Sequence, residues 1–222
     1  MLEPELRRRL QEFLAEDVPF FDLTGELIPK RRVWFSLFAK SEGVLALPEL
    51  FAETLKLLDP SSIVQFFLKE GNDFSPGVLA EGEAEARALL TAERVALNLL
   101  SLACGIAYRA RLLKRALEGT GTRVLDTRKT FPGLRAISKR AFLVGAGAIH
   151  RPSLSEAVML KDNHKRLVKV AEAVRRAKEL FPWAKVIVEV ESLGELEEAA
   201  EAGADWALLD NFRPQELSLI HI

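Results

Sequence analysis

Seven charged or chargeable residues stand where short apolar runs give way to polar chain in the second half of the sequence. They are Arg128 and Lys129, His150 and Arg151, Lys161, Glu189 and Asp210. The first five are cationic or can become so; the last two are acidic. A guanidinium grips a carboxylate or phosphate through two parallel hydrogen bonds, and an ammonium acts as a point charge. Two carboxylates on neighbouring strands suit Mg²⁺, which prefers oxygen ligands and is often shared with substrate phosphates. Together they describe a site for a polyanion and Mg²⁺. Any one of them alone reads as a solvated charge where a strand leaves the core. Their recurrence on successive strands is harder to explain that way. So is the run Asp126-Thr127-Arg128-Lys129-Thr130, which sets adjacent cations between two hydroxyls just before the turn at Pro132-Gly133.

The elements that must position these residues follow from apolar spacing. Leu2 to Glu16 reads as a helix, Arg32 to Ala39 and Gly43 to Leu47 as strands, Pro48 to Leu58 as a helix, Ile63 to Leu68 and Val78 to Glu81 as strands. Thr91 is the expected N-cap of a long amphipathic helix, Ala92 to Leu117, stopped by Gly119 to Gly121. The rhythm then changes. Expected strands at Arg123–Asp126, Ala157–Leu160, Lys185–Val190 and Trp206–Leu209 alternate with helices near Leu134–Arg140, His164–Leu180 and Leu193–Glu201. That is the rhythm of βαβ units and a parallel sheet. Spacing alone leaves an open doubly wound sheet and a closed or incomplete barrel both possible. In a barrel of parallel strands, function gathers at the strands' C-terminal ends.

Composition narrows the class. The chain has 222 residues, 49% of them hydrophobic, enough for one large domain or two smaller ones. Lys and Arg total 31 against 32 Asp and Glu, a net charge of −1, which speaks against a protein that coats nucleic acid. The single cysteine, Cys104, sits in an apolar run and is expected to be a buried, inert thiol. The N-terminus lacks the apolar core of a signal peptide, and no uncharged apolar run approaches 18 residues, so a cytoplasmic protein without membrane or nucleic-acid partners is expected. No zinc-ligand spacing, Gly-x-Ser-x-Gly elbow or Gly-x-x-x-x-Gly-Lys phosphate loop occurs. His164 is expected to cap the helix that follows it, and His221 carries no assignment.

Leu125-Asp126-Thr127-Arg128-Lys129-Thr130 with Pro132-Gly133-Leu134-Arg135 is similar to the signature of quinolinate phosphoribosyltransferases, also called nicotinate-nucleotide pyrophosphorylases. So are His150-Arg151 followed by Leu154, Glu156 and Ala157-Val158, and the run Leu160-Lys161-Asp162-Asn163-His164. Leu90 to Arg94 with Ala96-Leu97-Asn98 resembles the start of the family's long helix, and Asp22-Leu23-Thr24 its N-terminal region. The resemblance runs from about Glu16 to Asn211. It implies an α/β fold: an N-terminal α/β sandwich domain over residues 1–104, which includes the start of the long linking helix, then an incomplete parallel α/β barrel over 105–222. It implies the conversion of quinolinate and phosphoribosyl pyrophosphate, with Mg²⁺, to nicotinate mononucleotide, pyrophosphate and CO₂. By matching positions, Arg128, His150, Arg151 and Lys161 would hold the quinolinate carboxylates, and Lys129 would sit between the two substrates. Glu189 and Asp210 would hold the ribose hydroxyls and Mg²⁺. Arg94 would enter the site of a partner subunit in a homodimer.

The pattern departs from the family after Asn211. Members continue with further βα units, including a Gly-rich segment for the ribose 5-phosphate, whereas this chain runs from Phe212 through Leu217 to Ser218-Leu219-Ile220-His221-Ile222. A barrel incomplete at its C-terminal end is therefore expected. Alternatives are a molybdenum-transport-associated relative of the same fold, which shares Thr-Arg-Lys-Thr-Phe-Pro-Gly, and a truncated fragment that only dimerises. A third is a swivelling carrier module, suggested by the hairpin-like run Lys69 to Asp73 with Pro76-Gly77.

Overall fold

The computed structural model describes residues 3–220, so His221 and Ile222 lie outside the described residues. It divides into two compact units, residues 1–150 and 151–222. The boundary expected at 104/105 falls inside one continuous helix.

The first unit opens with α1 (Glu3–Asp17), whose Leu6, Leu10 and Leu14 are buried. A 3₁₀ turn at Gly25–Leu27 leads to β1 (Arg32–Ala39), β2 (Gly43–Val44) and α2 (Glu49–Leu58). β3 (Ile63–Phe66), β4 (Asp73–Phe74) and β5 (Gly77–Glu85) follow. β1, β5 and β3 form an antiparallel sheet in that order, and β2 pairs with β4. The run Lys69 to Asp73 therefore joins strands of different sheets, not the two arms of a carrier-type hairpin.

α3 (Ala86–Ala116) is the spine of this unit. It begins earlier than its expected cap: Glu85 caps it, accepting from the N–H groups of Arg87 and Ala88, because Ala86 to Leu90 are themselves helix formers. The Thr91 hydroxyl donates instead to Asp22 Oδ2 at 2.9 Å. Among the described residues this is the one helix long and apolar enough to cross a membrane by length and composition. Here its apolar residues pack as core on two sides. Val95, Leu99, Ala103 and Ala107 meet α1, Leu50 of α2 and Ile137, while Ala96, Leu100 and Cys104 meet the sheet and Phe51. Cys104 is buried, as expected, and burial pushes its thiol pKa up.

α4 (Arg135–Ala146) lies along α3. Gly145 permits the approach: a Cβ there would fall 2.1 Å from the Ala107 carbonyl oxygen. Residues 117–134, between the two helices, form no helix or strand. The strand expected at Arg123–Asp126 is thus a loop. Its Val124-Leu125 pair has the apolar look of a strand, but no neighbouring strand pairs with it, and side-chain bonds to Asp126 hold it instead.

The second unit is a βα alternation: β6 (Ala157–Leu160), α5 (Asp162–Lys165), α6 (Val170–Leu180), β7 (Lys185–Val190), α7 (Leu193–Glu201), β8 (Trp206–Leu209) and α8 (Pro214–Ile220). β6, β7 and β8 pair in parallel, in sequence order, with Leu160 opposite Val188 and Val190 opposite Leu209. Val186, Val188 and Val190 are fully buried against Val170, Val174 and Ala199 of the helices, the continuous Val/Ile pattern of a strand covered by crossover helices. The helix expected over His164–Leu180 is two helices. Lys169 takes an extended conformation (φ −66°, ψ 141°) and breaks the run between them.

Candidate functional site

Of the expected site residues, Arg94, Arg128, Lys129 and His150 belong to the first unit; Arg151, Lys161, Glu189 and Asp210 belong to the second.

In the first unit, the loop after α3 carries Arg128 and Lys129. Arg128 Nε is buried and has no hydrogen-bond partner among the described residues. Lys129 is exposed; its backbone N–H donates to Thr127 Oγ1 at 3.1 Å, which tightens the loop beneath it. The loop is anchored by Asp126. One oxygen, Oδ1, accepts the His150 backbone N–H at 2.7 Å, and Oδ2 accepts Lys139 Nζ at 2.6 Å. Lys139 Nζ also donates to the His150 carbonyl at 3.1 Å. Lys139 and Asp126 are nearly closed to solvent, with side chains 5% and 8% exposed. Arg94 projects from α3, exposed. It lines a cleft of about 650 Å³ with Asn98, Ser101, Tyr108 and Glu42. The Tyr108 hydroxyl donates to Glu42 on the wall of that cleft, a bond that raises the pKa of the phenol.

In the second unit, the residues of interest sit at the C-terminal ends of the parallel strands. Lys161 follows β6, Glu189 is the penultimate residue of β7, and Asp210 follows β8. Lys161 Nζ donates to Glu189 Oε2 at 2.5 Å; the Glu189 side chain is 11% exposed and that of Lys161 43%. The ladder continues into Asp210, whose N–H donates to the Val190 carbonyl at 2.9 Å. Asn211 then adopts a left-handed conformation (φ 58°), which asparagine tolerates, and its amide donates to Asp210 Oδ2 at 3.2 Å. Arg151 donates to the Ala157 carbonyl at 2.6 Å. His164 does cap its helix: its Nδ1 accepts the Lys161 N–H at 3.0 Å.

Two supporting features carried no clear signal in the sequence. Lys139 would ordinarily be read as a solvated helix charge, yet it is buried. Glu195 accepts both Lys165 Nζ at 2.7 Å and the Glu191 N–H at 2.8 Å, so it ties α5 to the turn just after Glu189. The Lys165 bond, then the Glu191 N–H, holds the Glu195 carboxyl below the usual range. Asp126, by contrast, lies within the Asp-Thr-Arg-Lys-Thr run, where an acid beside two cations could have been read as their anchor.

The chain matches two family models, the N-terminal domain of quinolinate phosphoribosyl transferase over residues 21–114 and its C-terminal domain over residues 106–220. The chain belongs to the quinolinate phosphoribosyltransferase family. It is 41% identical over 213 residues to the human nicotinate-nucleotide pyrophosphorylase [carboxylating], covering 94% of this chain and 71% of that one. It is 36% identical to the probable nicotinate-nucleotide pyrophosphorylase of Bacillus subtilis (strain 168), covering 95% and 74%. Among solved structures, NadC from Streptococcus pyogenes superposes with a TM-score of 0.92 at 38% identity, covering 99% of this chain and 79% of that one. The nicotinate-nucleotide pyrophosphorylase from Francisella tularensis gives 0.90 at 32%, covering 96% and 77%. The fold is the α/β fold of this quinolinate phosphoribosyltransferase family, as the motifs implied.

Proposed function

We infer that this quinolinate phosphoribosyltransferase converts quinolinate and phosphoribosyl pyrophosphate to nicotinate mononucleotide, pyrophosphate and CO₂. The observation that carries the substrate assignment is Arg128. A guanidinium with a buried, unpartnered Nε, on a loop anchored beneath it, is a cation built to receive an anion from outside the chain. A planar pyridine dicarboxylate suits that fork.

The proposed roles follow the charges. On the first unit, Arg128 and His150 hold quinolinate carboxylates, and Lys129 stands between the two substrates. On the second, Arg151 and Lys161 bind carboxylate, and Glu189 and Asp210 bind the ribose hydroxyls of the phosphoribosyl donor. The pyridine nitrogen attacks the ribose C1 as the C1–O bond to pyrophosphate breaks. The resulting pyridinium stabilises the electron pair left on the ring carbon when the ring–carboxylate bond breaks and CO₂ departs, and a proton from water then takes the carboxylate's place on that carbon. No side chain need become a covalent intermediate, so positioning and fixed charge carry the rate. Lys161, already against Glu189, is free to exchange that carboxylate for the substrate's.

Glu189 and Asp210 supply hard oxygen donors from adjacent strand ends. Among the described residues no group of three or more His, Cys, Asp or Glu is arranged to hold a metal. Two carboxylates fit an ion that keeps waters and takes substrate phosphate oxygens as its remaining ligands, as Mg²⁺ does. Bound there, Mg²⁺ would neutralise charge on the departing pyrophosphate.

A homodimer in the cytoplasm is part of the same reading. Arg94 is exposed and has no partner of its own among the described residues. The outer face of the β1–β5–β3 sheet exposes Trp34, Phe38, Ile63 and Val78 among the polar side chains Arg32, Ser36, Gln65 and Glu81, a mixed surface that suits a second copy. Calorimetry tests the substrate assignment: Arg128→Ala and Arg151→Ala each weaken quinolinate binding by ~10² or more, since truncating a buried charged contact costs about 2–5 kcal/mol. Unchanged affinity in both would remove these residues from the site.

A further inference from the structure

The buried Asp126–Lys139 pair has no place in the roles above. We propose that it is a positioning clamp that fixes His150, and with it the Arg128 loop, for quinolinate binding. The proposal rests on the reading of His150 as a substrate residue.

Three bonds carry it. Asp126 accepts the His150 N–H at 2.7 Å, Lys139 donates to the His150 carbonyl at 3.1 Å, and the two side chains close the ring on each other at 2.6 Å. One buried ion pair therefore holds both peptide groups of a single residue. His150 lies outside every helix and strand, so no ladder sets its backbone. Fixing the peptide groups on both sides sets φ and ψ, and hence the direction in which the imidazole leaves the chain.

The charges are informative because packing does not need them. Apolar residues of similar volume would hold α4 against the loop about as well as a buried ion pair does. What the pair adds is direction: a carboxylate accepts and an ammonium donates, at fixed points. Asp126 also lies two residues before Arg128 and three before Lys129. The clamp thus ties the cationic loop to His150, so the carboxylate-binding groups of this unit keep a fixed spacing. A rigid planar substrate rewards such spacing with affinity, because little ordering remains to be done on binding.

The test is a double-mutant cycle on quinolinate affinity, read by calorimetry on the full chain. Lys139→Met should weaken quinolinate binding ~10-fold in the otherwise native protein, the loss expected when a charge-assisted contact is released. In a His150→Ala background the same substitution should weaken binding by a clearly smaller factor, because only the Arg128 loop then remains for the clamp to hold. Equal factors in the two backgrounds would show that Lys139 does not act through His150, and would overturn the clamp. An unchanged affinity in His150→Ala by itself would instead overturn the reading of His150 as a substrate residue. Asp126→Asn/Lys139→Met covers the case in which the single variant unfolds. It removes both charges and keeps an acceptor for the His150 N–H. Native-like unfolding with quinolinate binding still ~10-fold weak supports the clamp; native-like affinity overturns it.

Discussion

The two units hold their charged residues by different means. In the second, Lys161, Glu189 and Asp210 stand at the ends of a hydrogen-bonded parallel ladder, and the backbone itself aims them. In the first, Arg128, Lys129 and His150 lie in chain without a ladder, and a buried side-chain pair, Asp126 with Lys139, does the aiming. Ladder positions can lose a charge without losing their shape. A loop pinned by two charges cannot. Stability and function should therefore separate cleanly in one unit and be entangled in the other.

The sharpest way to break this contrast is Lys139→Met. It leaves Asp126 buried without its cation and should cost about 3–5 kcal/mol in urea unfolding of the first unit. Glu189→Gln, in the second unit, keeps shape and burial while removing the charge that faces Lys161. Its stability should change by less than ~1 kcal/mol, because Lys161 is partly open to solvent and keeps water to replace the lost carboxylate. Turnover should nonetheless fall ~10-fold or more with quinolinate affinity little altered, since charge-assisted contacts to the phosphoribosyl donor are worth about 1.5–3 kcal/mol. A large stability loss there would erase the distinction. The smallest effect concerns pH. The Val186 N–H, donated at 2.8 Å, holds the Asp205 carboxyl below its ordinary range. A depressed folded-state pKa gives stability that is present above the unfolded value of about 3.9 and is lost as pH falls through the folded one. Acid unfolding of the second unit below about pH 4 should thus be shallower in Asp205→Asn, followed by circular dichroism.

The same contrast explains what was legible in the sequence. β6, β7 and β8 match their expected spans to the residue. For β7 the reason is burial, since a short Val/Ile-rich run covered by helices has few other ways to be buried, while β8 matches in span although most of it is exposed. The strand-end charges were legible with them. Arg123–Asp126 has a strand's local pattern, but strands need partners, and pairing is not a local property. The start of α3 was misplaced because Thr91 is a fine cap in isolation; tertiary contact gives its hydroxyl to Asp22 and leaves Glu85 to begin the helix. Lys139 was illegible for a related reason. A helix lysine is buried only when something distant in sequence receives it, and Asp126 and His150 do so from outside its helix.

The proposed roles place all of these residues in one reaction on a pyridine dicarboxylate. Incubating this chain with quinolinate carrying a labelled 2-carboxylate, phosphoribosyl pyrophosphate and Mg²⁺ tests it most directly. Labelled CO₂ should be released in step with nicotinate mononucleotide, in dependence on the phosphoribosyl donor, and its release should be lost in Arg128→Ala. Release that is independent of the donor, or that survives Arg128→Ala unchanged, would contradict it.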